Sequence, residues 1–213
     1  MRRWQIGLIK AVVWAACLAP LAWLAARLFR IAGPIVADPA FDFVHTLGKT
    51  GLNILLITLA ITPVRVLTGF NLLARFRRLL GLFAFFYLSL HFAAFATFDL
   101  QFNFGLIFGE IVLRPYLTIG MLALVLMIPL AVTSTRGMQR RLGRRWTLLH
   151  RLIYPIGILG VWHFWWHGKQ ASNEPVIYAG ILAALLGYRV WRSWQRHRRR
   201  QAAGEGIGRA STP

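Results

Sequence analysis

Residues 79–98, "LLGLFAFFYLSLHFAAFATF", run for 20 positions without a charged side chain. About 20 apolar residues in a helix match the hydrocarbon thickness of a bilayer. In lipid a helix is also one of the few structures that satisfies all its own backbone hydrogen bonds. A second run, "PYLTIGMLALVLMIPLAVTST" at 115–135, has the same property, and shorter uncharged runs cover 11–26, 50–64, 152–168 and 175–188. The shorter ones reach spanning length once flanking Arg and Lys side chains carry their charges to the headgroups. The chain therefore reads as an all-α integral membrane protein. The expected architecture is a six-transmembrane-helix bundle with spans near 8–30, 45–65, 79–98, 114–134, 147–167 and 175–192. These form one domain over 1–200, followed by a disordered polar tail, "QAAGEGIGRASTP", at 201–213.

The net charge is +19, from 25 Lys and Arg against 6 acids. On a soluble chain that balance would point to nucleic acid; here its placement points to topology. Numbering the spans alternately puts "MRRWQIGLIK", "RVLTGFNLLARFRR", "TRGMQRRLGRR" and "YRVWRSWQRHRRR" on one side of the membrane. The opposite side holds Asp38, Asp42, Asp99, Glu110 and Glu174, every acid except Glu205. Cytoplasmic loops carry the Lys/Arg excess, so both termini are expected in the cytoplasm of a multi-pass inner-membrane protein. The partner of the basic clusters is then the lipid bilayer and its anionic headgroups, not nucleic acid.

The basic start followed by "AVVWAACLAPLAWLAA" imitates a signal peptide, but five more spans follow and it reads as an uncleaved first helix. Cys17 has no second cysteine to pair with and reads as a packing residue. "GEGIG" in the tail follows no strand, so it is not a dinucleotide fingerprint. No internal repeat of fixed period is evident. The loop "FDLQFNFGLIFGEI" is expected to lie along the interface or to touch a partner.

Ionisable residues inside a membrane mark functional sites, and the histidines are the candidates. His91 lies 12 residues into the third span, roughly 18 Å deep at 1.5 Å per residue. His163 sits near the far end of the fifth span, in "VWHFWWHGK". Their depths match, and two imidazoles at one height on different helices can ligate a haem iron from both sides. His150 precedes His163 by 13 residues, about 20 Å along the helix, beside the basic loops. It is a second ligand candidate, although on a straight helix it points about 140° away from His163. Pro155 between them offers a way to change that phase. His167, one turn beyond His163, suits a supporting or propionate-contacting role, and His45 a water-facing one. Arg77, Arg78, Arg144, Arg145 and Arg151 are candidates for haem propionates or a flavin phosphate on the cytoplasmic side. Trp165 and Trp166 fit an interfacial aromatic belt.

Four blocks, "GKTGLNILLITLAITPVR", "RFRRLLGLFAFFYLSLHF", "RPYLTIGMLALVLMIPLAVTS" and "WTLLHRLIYPIGILGVWHFWWHGK", resemble the MsrQ (YedZ) family over roughly 40–170. These are the membrane subunits of bacterial periplasmic protein-methionine-sulfoxide reductase systems, within the ferric-reductase-like transmembrane superfamily. The resemblance implies b-type haem (one, with a second open), FMN, and no catalytic site for the final substrate. Electrons would come from the quinone pool or a cytosolic flavin reductase and go to a periplasmic molybdopterin enzyme, MsrP. His91, His150 and His163 stand where the family's haem ligands are expected. Two-haem members of the superfamily pair two histidines on span three with two on span five. Here Arg77 and Gly105 occupy the positions fourteen residues either side of His91. The rival readings are a metal-ion reductase acting at the outer face and a small His-dependent proton channel or transporter.

Overall fold

The computed structural model describes residues 3–29, 31, 38–167 and 173–210, and for Arg3, His167, Arg200 and 202–210 the backbone alone. The described residues form α1 (Arg3–Leu28), α2 (Pro39–Thr68), α3 (Leu73–Phe98), α4 (Phe104–Leu113), α5 (Pro115–Val132), α6 (Arg136–Leu142), α7 (Arg144–Leu149), a 3-10 turn (His150–Leu152), α8 (Ile153–His167) and α9 (Glu174–Ala210). Stretches in α1, α2, α3 and α5 are long and apolar enough to cross a membrane: Trp4–Leu28, Pro39–Thr68, Leu73–Phe98 and Pro115–Val132. The protein is a multi-pass membrane protein. The other two expected spans appear in altered form. The stretch 144–167 is broken by the 3-10 turn into two α-helical pieces, and α9 is a single long helix whose first half carries the apolar run.

Local chemistry sets the helix starts. Asp38 caps α2 by accepting from the backbone N–H of Phe41 at 2.9 Å, with Pro39 in the first turn where its missing N–H costs nothing. Asn103 caps α4 in the same way through Leu106. Helix α2 ends at Gly69, whose φ of +73° suits glycine and lets its N–H reach the Arg65 carbonyl at 3.0 Å. That turn folds α3 back on α2. A second hairpin pairs α5 with α8, and α9 packs on α8 and α2. Between them Leu47, Leu55, Leu59, Tyr87 and Ile156 are fully buried, while the exterior shows Leu8, Trp23, Phe108, Val132 and Ile177, an apolar surface suited to lipid and not to water. Helix α1 lies on this core through Tyr87, whose hydroxyl donates to the Cys17 carbonyl at 2.6 Å, and through Trp14 edge-on to Phe83.

The antiparallel hairpins give the bundle two chemically distinct ends. At one end stand the ion pairs Arg27–Asp42 (2.8 Å), Lys49–Glu174 (2.7 Å) and Arg114–Glu110. The other end collects the arginines of the α2–α3 turn, of α6 and α7, and of the second half of α9. The backbone of α9 runs on through Gln201 to Ala210, across Gly204, Gly206 and Gly208, which are poor helix formers. One expectation needs correction. The helix between His150 and His163 is reset by the 3-10 turn ahead of Pro155. At about 120° per residue over three residues, that turn cuts the expected 140° offset to roughly 80°.

Candidate functional site

His91 on α3 and His163 on α8 face each other across the middle of the bundle, ring centroids 6.2 Å apart and planes at 74°. Each ring is held by its Nδ1. His91 donates to the Val44 carbonyl at 2.8 Å and His163 to the Tyr116 carbonyl at 2.7 Å. A carbonyl only accepts, so the proton sits on Nδ1 and the lone pair of the neutral ring on Nε2. A metal-ligating imidazole is typically oriented in this way by a hydrogen bond from its other nitrogen.

The two halves of the site are built alike. Val44 and Gly48 lie one turn apart on α2, Tyr116 and Gly120 one turn apart on α5, and in each case the ring rests on the glycine. A Cβ at Gly48 would stand 2.8 Å from Nδ1 of His91, and a Cβ at Gly120 would stand 2.8 Å from Nδ1 of His163. Val44 to Tyr116, Gly48 to Gly120 and His91 to His163 are each a step of 72 residues, and both carbonyl–imidazole pairs span 47 residues. The α2–α3 and α5–α8 hairpins thus repeat one unit. That corrects the expectation of no internal repeat: few side chains coincide, and the repeat lies in backbone contacts.

The pair fits a macrocyclic metal better than a bare ion. Among the described residues no group of three or more His, Cys, Asp and Glu is placed to hold a metal, and two imidazoles alone do not fill a coordination sphere. A haem iron brings four nitrogens of its own and needs only two axial ligands. With iron–nitrogen bonds of about 2 Å and roughly 1.1 Å from ring nitrogen to ring centre, axial imidazole centroids lie about 6.2 Å apart. The rings stand at that separation. They border a cavity of about 310 Å³ walled by Leu52, Leu88, Phe92, Leu124 and Gly160, among others. Apolar walls of this kind keep water off a buried redox centre.

The chain is similar to known membrane proteins. The family described as ferric reductase like transmembrane component matches residues 47–161. A protein from Xanthomonas euvesicatoria pv. vesicatoria (strain 85-10) called protein-methionine-sulfoxide reductase heme-binding subunit MsrQ is 52% identical, over 86% of each chain. One of the same name from Xanthomonas axonopodis pv. citri (strain 306) is 49% identical, over 96% of this chain and 92% of its own. The chain belongs to the MsrQ family, within the ferric-reductase-like transmembrane proteins. A more distant MsrQ, from Rhodospirillum rubrum, is 48% identical over 89% of this chain and 90% of its own. No solved structure matches.

In this chain the remaining candidates lie apart from the pair. His150 sits at the arginine-rich end, its Nδ1 3.1 Å from the Trp146 carbonyl and its ring stacked on the Trp146 indole at 3.9 Å. Trp146 is itself fixed by donating to the Thr133 carbonyl at 3.0 Å. The side chain of His167 falls outside the described residues. Arg77, Arg78, Arg144, Arg145 and Arg151 are not among the residues lining the cavity. The basic groups that do line it, besides the pair, are His45, Lys49 and Arg114, at the end that carries the acids. His45 was expected to face water, and no role was expected of Lys49 or Arg114. Nor was one expected of Gly48, Gly120, Val44 and Tyr116, whose shared signal in the sequence is a glycine 43 residues before each histidine.

Proposed function

We propose that this chain is the haem-binding, electron-transferring membrane subunit of a periplasmic methionine-sulfoxide reductase. The observation that carries the reading is the His91–His163 separation of 6.2 Å with both Nδ1 atoms tied to carbonyls. A b-type haem there supplies a one-electron ferric–ferrous couple; the protein supplies ligation, orientation and dryness. His91 and His163 would hold its iron through their Nε2 atoms. Lys49 and Arg114, at the rim, are the cations within reach of propionates.

Charge placement supports six spans with both termini on the cytoplasmic face of the inner membrane, the arginine-rich end inward and the acid-bearing end outward. His163 and the cavity then lie towards the periplasm, where a molybdopterin catalytic partner such as MsrP would accept electrons. The donor is the quinone pool or a cytosolic flavin reductase meeting the basic end. There His150 is the candidate ligand of a second haem, and the five arginines are candidates for the phosphate of FMN. The final substrate is reduced on the partner. Reduced-minus-oxidised optical spectra of protein purified after expression with ample haem test this. A low-spin b-type signal that disappears in His91→Ala and His163→Ala is expected. Colourless protein, as a proton channel or transporter would give, overturns the reading.

A further inference from the structure

Arg189 of α9 enters the bundle at the arginine-rich end. Its Nη2 donates to the Leu59 carbonyl at 2.6 Å. The reason lies four residues on: Pro63 has no N–H, so the carbonyl that a regular α2 would pair with residue 63 needs another donor. Its guanidinium also lies over the Tyr154 ring, 5.1 Å from the centroid. These contacts account for half of the side chain. Nη1 is buried, and among the described residues it is the one buried side-chain nitrogen or oxygen with no hydrogen-bond partner.

The charge is unanswered as well. Arg77 acts electrostatically on both Arg189 and His150, which adds positive charge to this end. Asp38, Asp42, Asp99, Glu110 and Glu174 lie at the opposite end of the bundle, and Glu205 is roughly 24 Å further along α9. A half-buried cation beside a second cation, with no acid near, is unfavourable unless an anion joins it. The geometry points to an oxyanion site in which Arg189 Nη1 binds a carboxylate or phosphate at the arginine-rich end of the bundle. A planar guanidinium with one edge spent on a carbonyl still offers N–H groups to such an oxygen. The oxyanion comes from a cofactor or from a lipid headgroup. The site does not depend on the His91–His163 pair, whose spectrum reports separately.

The full chain in nanodiscs of phosphatidylcholine, with and without phosphatidylglycerol, provides the test. Wild type is compared with Arg189→Met and with Pro63→Ala/Arg189→Met, and the double variant also with Pro63→Ala alone. The Pro63 change returns the N–H that the Leu59 carbonyl lacks, so the double variant no longer needs the clamp and isolates the anion's role. Haem and flavin per protein and the thermal midpoint are read. With a cofactor oxyanion, both variants lose one cofactor at least about tenfold in affinity in either membrane, while the signal of the His91–His163 haem stays. With a lipid oxyanion, cofactor content stays and the midpoint rise that phosphatidylglycerol gives the wild type vanishes in both. A double variant with wild-type cofactor content and a wild-type lipid response overturns the site. So does a midpoint of the double variant above that of Pro63→Ala alone in both membranes, the result of deleting a charge that never had a partner. Arg189→Gln, read the same way, replaces any variant that does not fold.

Discussion

His163 rests on Gly120 so closely that a Cβ there would stand 2.8 Å from its Nδ1. That ring also donates from Nδ1 to Tyr116, so a methyl group at 120 pushes it off the hydrogen bond that aims it. Gly120→Ala is expected to lower haem affinity by at least about tenfold, the usual loss when the group orienting a metal-bound histidine is disturbed. Gly48→Ala should do the same through His91. Haem per protein by pyridine haemochrome checks both. Full occupancy in either variant would show that the rings do not need these glycines.

His91→Ala and His163→Ala each remove one side of a two-sided site, and each is expected to abolish its low-spin b-type signal. His150→Ala should leave that signal in place, because His150 is not part of the cavity wall. Any haem missing from His150→Ala is therefore a different one. Haem quantification and difference spectra on the three variants separate these outcomes.

Glu174 precedes the apolar run of α9. The hydrogen bond from Lys49, at 2.7 Å, holds its carboxyl below the usual glutamate range, with His45 adding to the effect. A carboxyl depressed in the folded state stabilises the fold above its unfolded pKa and loses that contribution as pH falls through the folded value. The thermal-midpoint difference between wild type and Glu174→Gln should therefore be present at neutral pH and shrink below the ordinary glutamate range. The effect is small, because both side chains are partly exposed. A difference that grows on acidification contradicts the assignment.

Tyr87 is fully buried, and its hydroxyl links α3 to the Cys17 carbonyl of α1 at 2.6 Å. Tyr87→Phe keeps the ring and removes the link, at an expected cost of about 1 kcal/mol. Helix α1 makes few other specific contacts with the core. Hydrogen exchange should therefore rise in α1 and not in α2 or α3, and uniform exchange across the bundle would show that the link is not what holds α1.

Much of this protein was legible in the chain because the bilayer imposes a simple rule. Uncharged runs such as 79–98 and 115–135 must become helices in lipid, and arginines clustered against acids in alternating segments fix which helix ends lie together. The pairing of His91 with His163 followed from depth alone, since helical rise converts residue number into height. What the chain could not show is lateral and rotational. Which carbonyl meets Nδ1, which glycine makes room for a ring, that α2–α3 and α5–α8 repeat one unit with few shared side chains, and that Arg189 answers the gap left by Pro63 all depend on how helices dock. Docking is set by packing across neighbours distant in sequence, as between Leu59 and Arg189, 130 residues apart. The sequence by itself determined the membrane, the helices and the heights; only the tertiary structure decided which atoms face one another, because helical periodicity encodes position along an axis and not the identity of the partner across it.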